Sequence, residues 1–381
     1  MKRTFAIVFA LAGCDQVYDL TRPPDARVDD AASDAVDAPP VTCHFDDGGP
    51  LFSVPAKGTS IVAGMFDPGD SLDLAVGSTN STAITFHFND AGGFASSMNV
   101  DVGGAVLAMA SGDLNHDGLD DVAFITATTA NGLLQTASMW DRHMETVIGG
   151  APRSIAIANF DGTGLDDLLV PIPSGELVQL VRAAGTVYLR GPAIPTTNAM
   201  AVAAIAADVN GDLAPDVLAA FDNLNGIGVY LADGPNFTEG SPIATGTKPI
   251  AIAVGRLGDR QVLDIVVVDE GSDDVAILRN DGNGAFTVDP PIAVGDSPRA
   301  LVLADLDADG TTDIIVANNK TNSFSVLRGT ATGFEPRQDY TTVAKPVALA
   351  VGNFTGDDRV DVAVLGEDDG FVIHTNICAP L

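Results

Sequence analysis

Basic residues are scarce in this sequence. Its 381 residues include 19 lysines and arginines against 51 aspartates and glutamates, a formal net charge of −32 at pH 7. Nucleic acid and anionic membrane surfaces both demand basic patches, so neither is expected as a partner. Histidine is scarcer still. His44, His87, His116, His143 and His374 are scattered, with no zinc-spaced pair, no nucleophile elbow and no phosphate-cradling glycine loop before a helix. The acidic pairs Asp120–Asp121 and Asp166–Asp167 fall on predicted strands, where neighbouring side chains point to opposite faces, so the chain is not expected to be an enzyme. Trp140 is the only tryptophan, and with four tyrosines it offers few surfaces on which a sugar ring could stack. Past the first dozen residues, no apolar run is long enough to cross a bilayer.

Those first residues are a separate matter. "MKRTFAIVFALAGC" has a basic start at Lys2 and Arg3, an apolar run from Phe5 to Ala12 and small residues leading to Cys14, the layout of a secretory signal. "LAGC", Leu11 to Cys14, resembles the bacterial lipobox. That resemblance implies a signal peptide over 1–13, lipidation of Cys14 and export to the cell envelope, facing the periplasm or at the cell surface. Residues 15–42 carry seven aspartates against two arginines, with four prolines and no apolar periodicity. Such a segment cannot bury enough surface to fold. It is expected to be a tether over 14–42, reaching about 85 Å if extended in polyproline fashion.

The rest of the chain is dominated by one recurring unit. "ADLDADGTTDIIVANN", Ala304 to Asn319, places Asp305, Asp307, Asp309 and Asp313 at loop positions 1, 3, 5 and 9, with Gly310 at position 6. A helical calcium hand needs a glutamate at position 12; here Val316 stands there, inside the β-branched run "IIVA". The unit therefore reads as strand, acidic loop, strand. Equivalent position-9 aspartates recur at Asp73, Asp121, Asp167, Asp216, Asp264, Asp313 and Asp361, at intervals of 46 to 49 residues. A fixed period of that size marks a repeat array in which each unit buries its neighbour's face. Forty glycines and a hydrophobic content of 46% suit many short strands joined by tight turns.

Each repeat continues through a second strand, a turn, a third strand, a glycine turn and a fourth strand, as in "DDVAILRNDGNGAFTVDPPIAVGDSP", Asp273 to Pro298. The last repeat stops after its third strand. "FDDGGPLFSVPAKG", Phe45 to Gly58, resembles the missing fourth strand and precedes the first repeat. The fold expected over 43–381 is therefore all-β: a seven-bladed propeller of four-stranded blades, the last blade closed by an N-terminal strand. Cys43 and Cys378 remain as an even pair in an exported protein, which suggests a disulfide. They fall where the open hairpin's turn would be.

The loops "DLNHDGLDD" and "DLDADGTTD", with turns such as "NDGNGAF" and "NDAGGF", resemble the FG-GAP or VCBS repeats of integrin α-chain-like propellers. The resemblance implies Ca²⁺ in the acidic loops and a monomeric platform for a protein or glycan ligand. Three loops carry a full set of oxygen donors: Asp113, Asn115, Asp117 and Asp121; Asp208, Asn210, Asp212 and Asp216, with Leu213 in place of the glycine; and Asp305, Asp307, Asp309 and Asp313. Two carry it in part: Asn159, Asp161 and Asp167, with Thr163 at position 5; and Asn353, Thr355, Asp357 and Asp361. The first loop, with Met65 and Gly69, and the fifth, with Arg256, Gly258 and Arg260, should hold no ion. His116, inside the second loop, is expected to face solvent. The expected function is a calcium-stabilised interaction or adhesion platform. A carbohydrate-binding propeller is the alternative, followed by a polysaccharide-cleaving enzyme. The resemblance puts partner contacts on the face opposite the acidic loops, in turns such as Ser78–Thr82, Phe221–Gly226, Asp269–Asp274 and Asn318–Ser323.

Overall fold

The computed structural model describes residues 41–380 apart from 70, 91–92, 137–139, 161–165, 173–174, 183–187, 193, 197–198 and 235. The expected signal peptide, Cys14 and all of the tether except residues 41–42 lie outside the described residues. So do Asp161 and Thr163. Among the described residues there is no helix.

Seven antiparallel sheets follow one another along the chain, each with its strands in sequence order. Their first strands are Gly58–Gly64, Ala108–Gly112, Ala156–Ala158, Ala201–Ala207, Pro249–Gly255, Pro298–Ala304 and Pro346–Gly352. They are rich in alanine and β-branched residues and almost wholly buried, as strands covered on both faces must be. Each packs against the first strands of its two neighbours, and Gly58–Gly64 packs against Pro346–Gly352, which closes the ring. Every second strand opens on a repeat-marking aspartate, from Asp73–Ser78 to Asp361–Gly366. The fourth strands are the least regular. In blades 3, 4 and 5 they split into two short pieces that both pair with the third strand.

Blade 7 closes as the repeat register demands, with a shift in position. Val41–Phe45 pairs antiparallel with Asn376–Pro380, Cys43 opposite Cys378. The ladder then continues beside Phe371–His374: Asp46 N donates to Thr375 O at 3.1 Å and Gly49 N to Ile373 O at 2.9 Å, while Phe52 and Phe371 exchange bonds of 2.8 and 3.0 Å. The closing strand thus spans Val41 to Phe52 rather than Phe45 to Gly58, and it begins two residues before the expected boundary at Cys43. Gly48, at φ +92°, sits at the register slip, and a Cβ there would stand 3.0 Å from the ring of His374. His374 is buried, with Nδ1 3.1 Å from Asp46 O and Nε2 2.8 Å from Thr342 Oγ1. Burial lowers its pKa. The neutral ring then donates to the Asp46 carbonyl and accepts from the threonine hydroxyl, tying the N-terminal strand to blade 6. Cys43 and Cys378 are disulfide-bonded, their Cα atoms 4.0 Å apart across 335 residues of sequence. In the chain-entropy picture such a link stabilises by about 5 kcal/mol at most.

Candidate cation-binding loops

The seven repeat aspartates share one structural role before any question of metal arises. Each is fully buried at the start of its second strand. In five blades one carboxylate oxygen accepts the amide of loop position 2: Phe66, Phe160, Val209, Leu306 and Phe354 donate to Asp73, Asp167, Asp216, Asp313 and Asp361 at 2.9–3.0 Å. In all seven the other oxygen accepts an amide at or just beyond the end of the third strand, from Asn89, Gln135, Arg182, Ala232, Asn280, Gly329 and Asn376. One carboxylate thus locks the loop to the hairpin behind it. That gives Asp73 and Asp264 a role in the first and fifth repeats, where positions 1 and 5 carry Met65 and Gly69 or Arg256 and Arg260 instead of oxygen donors.

Position 1 shapes the loop. Asp113 accepts from Asp117 N at 2.9 Å and Gly118 N at 2.8 Å; Asp305 accepts from Asp309 N and Gly310 N; Asp208 accepts from Gly211, Asp212 and Leu213; Asn353 accepts from Gly356 and Asp357. Positions 4 and 6 are both left-handed in these four loops, at His116 and Gly118, Gly211 and Leu213, Ala308 and Gly310, and Gly356 and Asp358. The fourth and seventh loops therefore adopt the same backbone as the second and sixth, with glycine moved to position 4 and Leu213 or Asp358 forced into the left-handed region.

Among the described residues, one set of acidic oxygens converges: Asp305, Asp307 and Asp313 each offer an atom within 4.8 Å of the others. Asp307 Oδ1 is buried there without a hydrogen-bond partner. An orphaned carboxylate oxygen beside two more carboxylates fits a hard divalent cation of the Ca²⁺ type. The electrostatics agree in direction. Burial pushes Asp313 up to about 7, with Asp307 adding to the rise, and raises Asp305 with help from Asp309 and Asp307. Burial likewise moves Asp121 up to about 7 and Asp216 to about 6, each with nearby loop aspartates contributing. A bound cation would relieve that repulsion.

Arginine meets part of the same need. In the fifth loop Arg279 Nη1 lies 2.9 Å from Asp264 Oδ2, and Arg260 Nε lies 3.5 Å from the same oxygen, so positive charge stands where the other acidic donors are missing. In the sixth, Arg328 Nη1 stands 3.4 Å from Asp307 Oδ2 and 3.7 Å from Asp313 Oδ2, while its Nη2 donates to Cys43 O at 3.0 Å. The guanidinium thus links the acidic loop to the disulfide strand. The second and fourth loops bring Asp113, Asn115, Asp117 and Asp121, and Asp208, Asn210, Asp212 and Asp216, into the same backbone frame. In the third loop Asn159 Oδ1 is buried and unpartnered. In the seventh, Thr355 Oγ1 donates to Asp361 at 3.0 Å. The first loop is held by its neighbour, since Met65 N donates to Asp120 Oδ2 at 2.7 Å. His116 is exposed, as expected, and its Nε2 also reaches to 3.5 Å from Asp166 of the next blade.

The residues that sequence reading overlooked lie at these seams. Asn280 Nδ2 donates to Val209 O of blade 4 at 2.7 Å, Asn89 Nδ2 to Phe354 O of blade 7 at 3.0 Å, and Asn376 Nδ2 to Leu306 O of blade 6. The signal that could have found them is an amide side chain 15 or 16 residues after the repeat aspartate.

Residues 261–316 and 305–364 match the FG-GAP-like repeat family. The chain carries FG-GAP-like repeats. No curated protein matches the sequence. Solved structures with the same fold include BBS1N in complex with ARL6DN (TM-score 0.62, 11% identity, covering 89% of this chain and 96% of that one) and a streptogramin B lyase (0.59, 12%, 88% and 98%). A catalytically inactive virginiamycin B lyase from Staphylococcus aureus, with quinupristin, is similar at TM-score 0.60 and 12% identity, covering 89% of this chain and 100% of that one.

Proposed function

We propose that this is an exported, lipid-anchored FG-GAP-type propeller whose acidic loops take up Ca²⁺ and whose ring serves as a platform for protein partners. The observation that carries the reading is the segregation of the ring's two ends. The acidic loops, tied down by buried carboxylates, occupy one end, and the turns between second and third strands are left at the other. The similar BBS1N propeller was crystallised in complex with ARL6DN, which supports protein recognition. The Cys43–Cys378 disulfide suits an oxidising, exported setting.

Binding of protein rather than glycan is favoured by where the aromatics lie. Trp140 stacks on Phe86 with ring centroids 4.2 Å apart in the seam between blades 1 and 2. Tyr188 and Tyr230 are buried, and Tyr340 stacks on Phe324 at 5.1 Å. None of these is laid out as a sugar platform. Binding rather than catalysis is favoured by the buried repeat aspartates, whose oxygens are engaged by backbone amides of their own blades. A pull-down from envelope extract with the mature full chain tests the proposal, run with Ca²⁺ and with chelator, beside a glycan array. Protein capture that is lost with chelator is expected. Retention of glycans with no protein would overturn the reading. Cys14→Ser should move the protein from the membrane to the soluble fraction.

A further inference from the structure

Position 3 sets the sixth loop apart from the other two full donor sets. The second and fourth loops carry Asn115 and Asn210 there, and the sixth carries Asp307. The sixth set therefore holds four carboxylates, from Asp305, Asp307, Asp309 and Asp313, where each of the others holds three. The extra carboxylate arrives together with a cation. Fifteen residues past the repeat aspartate, near or just beyond the end of the third strand, the second blade has Thr136, the fourth Leu231 and the sixth Arg328. Four negative charges less one positive leave a formal −3, which the other two sets reach with three aspartates alone.

The fifth blade shows the same position in a second setting. Arg279 is seated on its repeat aspartate, with Nη1 2.9 Å from Asp264 Oδ2, and its Nε is held by Asp289 Oδ2 at 2.8 Å. Arg328 stops short. Its Nη1 stands 3.7 Å from Asp313 Oδ2, an oxygen already engaged by Leu306 N at 2.9 Å, and 3.4 Å from Asp307 Oδ2. What holds it back is the closing strand, because the Cys43 carbonyl accepts from Nη2 at 3.0 Å. Asp307 thus turns one oxygen to the guanidinium and keeps the other, Oδ1, buried without a hydrogen-bond partner beside Asp305 and Asp313. Arg328 itself is buried. A guanidinium stays protonated, and a buried charge cut off from its partners is costly, so this positive charge remains beside the loop in every state of the site.

We infer that Arg328 is a resident counter-charge of the sixth loop, held back from Asp313 by the closing strand, and that it lowers that loop's affinity for a divalent cation of the Ca²⁺ type. The inference rests on the cation uptake proposed above and names the residue that tunes it in one loop. Like charges a few ångströms apart repel strongly where water is excluded, so the guanidinium opposes a cation that draws on the same carboxylates. Asp307 is the compensating change: an aspartate where the second and fourth loops use asparagine supplies the negative charge that Arg328 takes away. The two residues form a matched pair, and replacing either alone shifts affinity in opposite directions.

The test is calorimetric titration of the full chain with CaCl₂, disulfide intact, in a parent carrying Asp117→Asn and Asp212→Asn. Those changes remove a carboxylate from the second and fourth loops and leave the sixth whole; the partial sets of the third and seventh loops are common to every variant. Arg328→Gln should tighten binding at least about tenfold. Asp307→Asn should weaken it at least about tenfold, although it installs the residue that the second and fourth loops use at position 3. The two changes together should return affinity to within about threefold of the parent, a coupling that an arginine with a purely structural role would not produce. If Arg328→Gln alone does not fold, the double variant is compared with Asp307→Asn and should bind at least about tenfold more tightly. Unchanged or weaker binding by Arg328→Gln, or a double variant no better than Asp307→Asn, would overturn the role of Arg328 while cation uptake stands. No binding of Ca²⁺ by the wild type would overturn the cation reading itself.

Discussion

Asn280→Ala should be among the most destabilising single changes to a polar residue of this ring. The side chain is 1% exposed. Its Nδ2 donates to Val209 O at 2.7 Å and Leu263 O at 2.9 Å, and its Oδ1 accepts from Gly282 N at 2.8 Å. Truncation leaves two carbonyls and one amide without partners at the seam between blades 4 and 5. A buried group left unsatisfied costs about 1–3 kcal/mol. Because the three share one side chain and a water could enter the space, the sum should come to about 3–5 kcal/mol rather than the full total. For a ring of this size that is a fall in Tm of very roughly 5–10 °C, extrapolating the size trend. Urea denaturation of the full chain, with the disulfide intact, gives the measurement. Asn283→Ala is the control, since Asn283 is exposed and its side chain reaches only the exposed Asp281; it should stay within about 0.5 kcal/mol. A loss below about 1 kcal/mol for Asn280→Ala would mean that the seam carbonyls find other partners, and the clamp described at Asn89 and Asn376 would lose its energetic meaning as well.

Four further outcomes are expected. Millimolar Ca²⁺ should raise Tm relative to chelator, because a ligand bound only to the folded state stabilises it, and Asp309→Ala should remove part of the shift; an unchanged Tm would sink the cation reading. Leu213→Gly should raise stability by about 0.5–1 kcal/mol in urea denaturation, since Leu213 is 90% exposed at φ 70° and a left-handed non-glycine residue costs about 1–2 kcal/mol, partly offset by the greater unfolded freedom of glycine. Asp269 is pushed up to about 7 mainly by burial, so the folded state binds a proton the unfolded chain has already released; this stability is complete below the ordinary carboxyl range and lost as pH rises through about 7, and Asp269→Asn should flatten the decline in Tm between about pH 4 and 7. Removing the disulfide by Cys43→Ser with Cys378→Ser should raise protease cleavage near the blade 7 closure before any other seam, and uniform cleavage around the ring would refute a local role.

The architecture was legible because its signals are periodic. Seven aspartates at a near-constant interval, each followed by a β-branched run, left one reasonable fold, and the unfilled fourth strand of the last repeat pointed to the N-terminus. The exact rung of closure was not legible. It depends on the slip at Gly48 and on His374 gripping the Asp46 carbonyl, and neither leaves a pattern in a polar stretch such as "HFDDGG". The loops were legible as acidic turns but not as unequal ones. Reading Leu213 as the loss of a required glycine missed that Gly211 supplies one of the two left-handed positions. Arg279 and Arg328, which approach Asp264 and Asp313, come from at or just beyond the end of the third strand, fifteen residues away, where they look like ordinary surface charge.

The repeat aspartate joins these observations. A residue that served only to bind metal would have no place in loops whose positions 1 and 5 carry no oxygen donor, yet Asp73 and Asp264 stand in two such loops. A residue kept only to brace the hairpin does not require a ring of carboxylates ahead of it, yet Asp305 and Asp307 gather beside Asp313. The two roles are compatible because each oxygen of a carboxylate accepts more than one partner: the amides fix the group in place, and its remaining lone pairs face the loop. Bracing is the role common to all seven blades, and the cation uptake we propose would be a second use of the same carboxylate. At Asp264, where the other loop positions carry no acidic donor, Arg279 and Arg260 supply the positive charge. At Asp313 the converging carboxylates and Arg328 stand together, and Arg328 connects them to the strand that closes the molecule.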